Sequence, residues 1–316
     1  MYIKSTDQRH LLQAALGSVN SQLLIQNAKL VNVLTGEIYP ANVFVDSGMI
    51  AHVEYQDLQK DLNKADETID AAGAYLIPGL IDAHVHIESS MMTPANFARS
   101  VLPWGTTTVI TDPHEIGNVW GVEGVRYMYE ASEGLPMRQL IDIPSCVPSV
   151  PGLEHGGAVF SASEVHELST LDRVIGLAEV MDFTGVAQGD PRMMEMIEAA
   201  RAHGLYLQGH APGVGGRLLS AYRCGGPGTC HESSSGAEAL EKMRSGMVVD
   251  ARDSSIVRNV ASIWEGVRTV PYLTQLCFCT DDREADEILR SGHINDVVRH
   301  AISCGMDPVA AIRSAT

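Results

Sequence analysis

His84 and His86 close an apolar run, IPGLIDAHVH. Side chains alternate across a strand, so residues two apart point the same way and two imidazoles can reach one metal ion. Further along, Glu179, His210, His231 and Asp281 end separate segments of the same kind: RVIGLAE, LYLQGH, GTCH and QLCFCTD. Four histidines and two carboxylates exceed what one four-coordinate ion uses, so the set predicts two divalent ions. His84, His86 and Asp281 would hold one, His210 and His231 the other, with Glu179 bridging. Nitrogen and oxygen donors without thiolate fit zinc, manganese or iron and do not separate them. Water shared by two such ions becomes a hydroxide nucleophile near neutral pH, and Asp281 can take its proton and pass it to a leaving group. The reaction class is metal-assisted hydrolysis, with Asp281, Glu179 and His231 as the expected catalytic residues.

Such a set needs elements that end at one place. From Tyr75 the chain alternates helical stretches with eight apolar strand candidates: 75–86, 106–113, 139–147, 173–181, 205–212, the weak 228–233, 247–254 and 275–282. The helical stretches include PRMMEMIEAARAHG, with Pro191 in its first turn, and SSGAEALEKMRSG, ending on glycine. Eight alternations are what a closed (β/α)8 barrel requires, and barrel enzymes build their sites at strand carboxyl ends, where these ionisable residues fall. Ahead of it, Leu11, Leu12, Ala15 and Leu16 suit a short helix. LLIQNAKLVNV and ANVFVDSGMIAHVEY, around a turn-like TGEIYP, read as a small antiparallel sheet. The fold class is α/β: a (β/α)8 metallo-hydrolase barrel over 75–316, with a helix and partial β-sandwich appendage over 1–74.

The 316 residues carry 39 acidic and 22 basic side chains, a net charge of −17, with no basic patch for phosphates, so nucleic acid is excluded as a partner. No run of 18 apolar residues and no signal-peptide core is present, so no membrane span or export is expected. Six cysteines without CxxC spacing read as buried free thiols in a reducing, cytoplasmic setting. His114-Glu115 and His231-Glu232 do not extend to HExxH, and no PCxxC follows His86-Ile87-Glu88; these exclude a zincin and the zinc deaminases of bases in nucleic acid. Met193, Met194 and Met196 read as helix packing. His52, His155, His166, His203, His293 and His300 lie away from strand ends and read as surface or packing residues.

Taken together, PGLIDAHVHIESS, GTTTVITDPHEIGNVWGVEG, YMYEASEGLP, PSCVP, GLAEVMDFTGV, GHAPG, HES and CTDDR closely resemble the adenine deaminases of the amidohydrolase superfamily, from about Leu23 to Thr316. The resemblance implies conversion of adenine to hypoxanthine and ammonia at a binuclear manganese or iron centre, with Glu179 in the place other members fill with a carboxylated lysine. A purine offers ring N–H groups to a carboxylate and ring nitrogens to a donor, so Asp112, His114, Glu115 and Arg252, at neighbouring strand ends, are the expected substrate contacts. Arg252 serves equally well as a structural cation balancing Asp250 and Asp253. The chain departs from the family at Cys230, where relatives carry an acid, and at Glu284-Ala285, where they carry His-Pro. Relatives are longer, and a segment beyond AIRSAT is expected to complete the small β domain. A homo-oligomer is expected, its exposed sheet edge inviting association. The remaining readings are a superfamily hydrolase of a cyclic amide and an inactive truncated member.

Overall fold

Branched and aromatic residues alternating with polar ones draw the amino-terminal unit, which runs to Pro78, into strands. The computed structural model describes residues 5–316, with side chains from residue 8 onward. A helix, Ser5–Ala15, precedes β1 (Ser21–Asn32), β2 (Glu37–Asp46), β3 (Met49–Glu54), β4 (Ala65–Asp70) and β5 (Tyr75–Leu76). β2 pairs antiparallel with both β1 and β3, whereas β4 and β5 pair parallel with β1. The sheet is therefore mixed, not purely antiparallel as the sequence suggests. Hairpins advertise themselves by their turns, while a parallel partner leaves no local signature. Only residues 33–36 turn before β2, so most of TGEIYP is strand. Because β5 pairs with Lys29 and Leu30, the unit ends after Pro78, beyond the boundary expected after Ala74. Leu24, Ala28, Val31, Val43 and Phe44 are its buried core. The helix buries Ala14 but exposes Leu12, and Leu16 lies exposed just past its end, so the apolar stripe is narrower than the spacing suggests.

From Gly79 the chain delivers eight strands: β6 (Leu80–Val85), β7 (Thr106–Thr111), β8 (Arg138–Ile143), β9 (Val174–Val180), β10 (Tyr206–Gly209), β11 (Thr229–Cys230), β12 (Val248–Arg252) and β13 (Leu276–Cys279). β6 to β10 pair in parallel in chain order, as do β11 to β13. Backbone hydrogen bonds join the two arcs: Gly228 N–H donates to Leu207 C=O at 2.9 Å, and Asp281 N–H to His84 C=O at 2.9 Å beside a parallel bridge from Val85 to Asp281. The ring closes as the (β/α)8 barrel. At Gly209 a Cβ would sit 2.3 Å from the Thr229 carbonyl oxygen, so only glycine lets β10 lie this close to β11.

Thr93, Ser161, Asp190, Ser235 and Asp307 cap the helices between strands, each side chain accepting a first-turn N–H. Helix and strand faces bury Ile141, Ile143, Leu177 and Ile197 on one flank and Val249, Phe278, Ile263 and Val297 on the other. Burying each contributes about 1.5–3 kcal/mol. Met193 and Met196 belong to this packing. The cysteines are all free, but Cys224 is exposed, which corrects the reading of uniformly buried thiols. Among the described residues no helix is long and apolar enough to cross a membrane.

Helices Gly236–Arg244 and Val260–Val267 meet backbone to backbone: a Cβ on Gly266 would lie 2.3 Å from Gly236 Cα. Gly266→Ala should therefore destabilise by about 1–3 kcal/mol through overpacking. Urea unfolding would show it as a lower midpoint at unchanged slope. An unchanged midpoint would mean that the two helices separate freely.

Candidate metal centre

His84 and His86 turn inward together at the end of β6, with their Nε2 atoms 3.1 Å apart. Both rings are fixed from behind. His86 Nδ1 donates to the Asp112 carbonyl at 2.9 Å. Gln208 Nε2 donates to the Ala83 carbonyl at 3.2 Å, which turns its Oε1 to His84 Nδ1 at 2.9 Å, so that ring also donates from Nδ1. Two Nε2 lone pairs consequently face one another. Asp281 Oδ1 lies 3.2 Å from His86 Nε2 and 3.9 Å from His84 Nε2. Buried lone pairs gathered this way are stable only around a cation, a proton or a metal ion, and the donor set therefore fits a divalent ion.

Glu179, on β9, is where the strand ends meet. Its Oε2 lies 2.5 Å from His210 Nδ1 and 3.1 Å from His231 Nε2; its Oε1 lies 3.2 Å from His114 Nδ1 and 3.6 Å from His86 Nε2. The two oxygens thus address two groups of nitrogens. The His84 and His231 rings stack at 4.0 Å. Four overlapping sets could hold an ion here: His84, His231 and Asp281; Glu179, His210 and His231; His86, Asp112, His114 and Glu179; His86, Asp281 and Asp282. His231 joins two of them, and His114 stands among the candidate ligands as well as near the substrate side. All six residues expected as ligands come together, and only His210 is appreciably exposed.

Burial disfavours charge here, yet the cluster is ionised. Hydrogen bonds from His114, His210 and His231 outweigh the burial of Glu179 and hold its carboxyl well below the ordinary range. For Asp281, burial is likewise outweighed, by a hydrogen bond from His86 and the positive field of His231 and His84. His84 is lowered by burial and by the neighbouring His231 and His86. Asp112 is raised by burial, an effect its partner His114, 3.0 Å away, opposes.

A cavity of about 190 Å³ opens over the cluster, lined by His114, Glu115, Glu232, Arg252, Asp281 and Asp282 among others. Arg252 Nη1 hydrogen-bonds both Asp281 Oδ2 and Glu232 Oε1. Its partners are these site carboxylates, not the Asp250 and Asp253 that the structural-cation reading supposes; Asp253 pairs with His300 instead. Ser89 Oγ sits 2.5 Å from Asp282 Oδ1 and 3.1 Å from Glu115 Oε1. Beside them Glu88 is pushed up to about 8 by burial and by Glu115. Sequence reasoning missed Gln208, Glu232, Asp282 and Ser89. Gln208 lies two residues before His210, and strand alternation could have found it. His293, read from sequence as surface or packing, is fully buried, hydrogen-bonded to Thr106 and Thr280, and 3.1 Å from Asp82 Oδ2.

The pattern of the Amidohydrolase family matches residues 75–316. The chain belongs to the amidohydrolase family. Over 97% of its length this amidohydrolase is 42% identical to an adenine deaminase of Desulfatibacillum aliphaticivorans, and over 98% it is 43% identical to one of Thermosipho melanesiensis. The matches cover 52% and 53% of those proteins, so the chain spans about half the length of the curated relatives it matches. Among solved structures, an N-acetyl-D-glucosamine-6-phosphate deacetylase from Mycobacterium smegmatis shares the fold, with TM-score 0.65 and 16% identity over 93% of this chain and 88% of that one.

Burial opposes a charge on His86, but its hydrogen bond to Asp281 and the fields of Glu179, Glu115 and Asp112 outweigh it and raise its pKa well above the ordinary value. At pH 7 the metal-free ring therefore holds a proton that a divalent ion must displace, and affinity should rise with pH across the neutral range. Calorimetric titration with Mn(II) in buffers of differing ionisation enthalpy should register proton release. Uptake without it would show that His86 Nε2 is already bare.

Proposed function

We propose that this amidohydrolase deaminates adenine hydrolytically to hypoxanthine and ammonia at a centre of two divalent ions, manganese or iron, with zinc also compatible. What carries the reading is the meeting of four imidazoles and two ionised carboxylates around Glu179, in a chain aligned almost throughout with proteins named adenine deaminase. His84, His86 and Asp281 would hold one ion and His210 with His231 the other, each Glu179 oxygen serving one side. Ions bound there supply the Lewis acidity that makes water nucleophilic near neutral pH.

The chain's own residues do the rest. Asp281, ionised and with Oδ1 turned into the centre, accepts the proton of the attacking water and delivers it to the departing amino group. Arg252 holds its Oδ2 and so fixes the direction in which Oδ1 faces the centre. Glu115 Oε2 is buried with no hydrogen-bond partner among the described residues, an acceptor free for a purine ring N–H. Asp112 orients His114 beside it, and His231 steadies the Glu179 side of the centre. A cavity of about 190 Å³ is of a size that suits a free base. We place the protein in the cytoplasm, a reading supported by its free cysteines. We expect it to self-associate, supported by Ile50 and Ile69 exposed on the outer strands β3 and β4. The acidic balance supports a small-molecule substrate over nucleic acid.

Asp281→Asn should lower turnover roughly 100- to 10,000-fold while much of the metal remains, because positioned proton transfer is lost. Wild-type turnover in that variant would assign the proton to another residue. With added Mn(II), the chain should consume adenine with release of ammonia and leave adenosine untouched. Equal rates on the nucleoside, or activity only on a cyclic amide, would overturn the substrate assignment.

A further inference from the structure

We propose that Asp82, Thr280 and His293 form a positioning unit for one half of the centre, the ion assigned to His84, His86 and Asp281; the inference rests on the two-ion reading above. The barrel ring is thin where the end of β13 returns to β6. Between β7 and β8 four residue pairs are in register, whereas β6 and the end of β13 share only the Val85 to Asp281 bridge. Two residues expected as ligands, His84 and Asp281, flank that seam.

Asp82 fills it. Its Oδ1 accepts the backbone N–H of His84 at 3.3 Å and of Thr280 at 3.0 Å. Its Oδ2 accepts the Thr280 hydroxyl at 2.5 Å, and His293 Nε2 hydrogen-bonds that hydroxyl oxygen at 3.1 Å while lying 3.1 Å from Oδ2. His293 Nδ1 in turn accepts the Thr106 hydroxyl at 3.1 Å. All four residues are fully buried. One carboxylate thus grips the backbone of His84 on one strand and the residue immediately before Asp281 on the other. His293 holds that carboxylate from outside the ring: it stands at the start of helix Ile294–Ser303, with its imidazole edge-on to Phe97 at 5.4 Å. None of these groups reaches Glu179, His210 or His231 by a hydrogen bond seen here, so the effect of losing them should fall on one ion.

His293→Phe keeps the ring volume and the contact with Phe97 but removes the hydrogen bond to Thr280 and the polar edge against Asp82. Titrating the full chain with Mn(II), with free ion followed by electron paramagnetic resonance and bound ion by elemental analysis, should show one ion bound about 10- to 100-fold more weakly than in wild type and the other unchanged, the usual effect of losing a partner behind a ligand. Asp82→Asn should leave binding near normal: its Oδ1 still accepts both N–H groups, and its Nδ2 donates to the Thr280 hydroxyl, which turns to donate to His293 Nε2 once the ring takes its other tautomer. Should His293→Phe fail to fold, Thr106→Val, which removes only the hydroxyl on Nδ1, should weaken the same single ion to a smaller degree. In His293→Phe or Thr106→Val, unchanged binding of both ions or equal weakening of both would overturn the proposal, as would a wild-type chain that binds fewer than two ions. Adenine turnover is read separately. A chain inactive on adenine that still loses one ion selectively would keep this inference and remove the substrate assignment.

Discussion

The structure depends on one electrostatic constraint: nitrogen and oxygen lone pairs from five strand ends converge on buried positions at the barrel mouth, and they repel unless positive charge lies among them. In the protein as described, protons on His86, His114 and His231 meet that need, each raised against the cost of burial by neighbouring carboxylates. The same geometry that makes these protons tenacious makes the cluster a receptor for multivalent cations. The barrel, its caps and its glycine contacts serve to hold the donors in place against that repulsion.

Arg252 shows how the charge is partitioned. Its guanidinium lies on Asp281 and Glu232 at the rim, compensating carboxylates that it shares with the imidazoles beneath. Burial alone would lower its pKa, but Asp281 and Glu232 more than offset this, so it remains a fixed cation. Asp281 thereby divides its two oxygens, one facing inward to the nitrogens and one outward to the arginine.

Much of this was legible in the sequence, for a physical reason. Ligands two apart on a strand and acids closing apolar runs are local patterns, and all eight barrel strands carry them or the apolar stretch before them. The mixed character of the first sheet was not legible, because β4 and β5 join β1 across long intervals without a turn to announce them. Nor were the supports behind the ligands. Gln208 looks like any polar strand residue until its amide is seen fixing His84, and His293 lies in a helix-start position that says nothing of Asp82 far behind it in sequence. Patterns reveal what converges from neighbouring positions; partners joined only by the closed ring are not encoded nearby.

The rear hydrogen bonds from His84 to Gln208 and from His86 to the Asp112 carbonyl also bear on metal selection. With tautomer and ring orientation set in advance, the imidazoles form a rigid mould with little freedom to reshape around a preferred ion. A mould of nitrogen and oxygen donors without thiolate follows the general affinity order of the first transition series, in which copper and zinc bind more tightly than manganese or iron. Occupancy by a weaker-binding ion would then be a property of the cell's supply, fixed at the moment of loading, and the same polypeptide made in a zinc-rich environment would be a different metalloprotein.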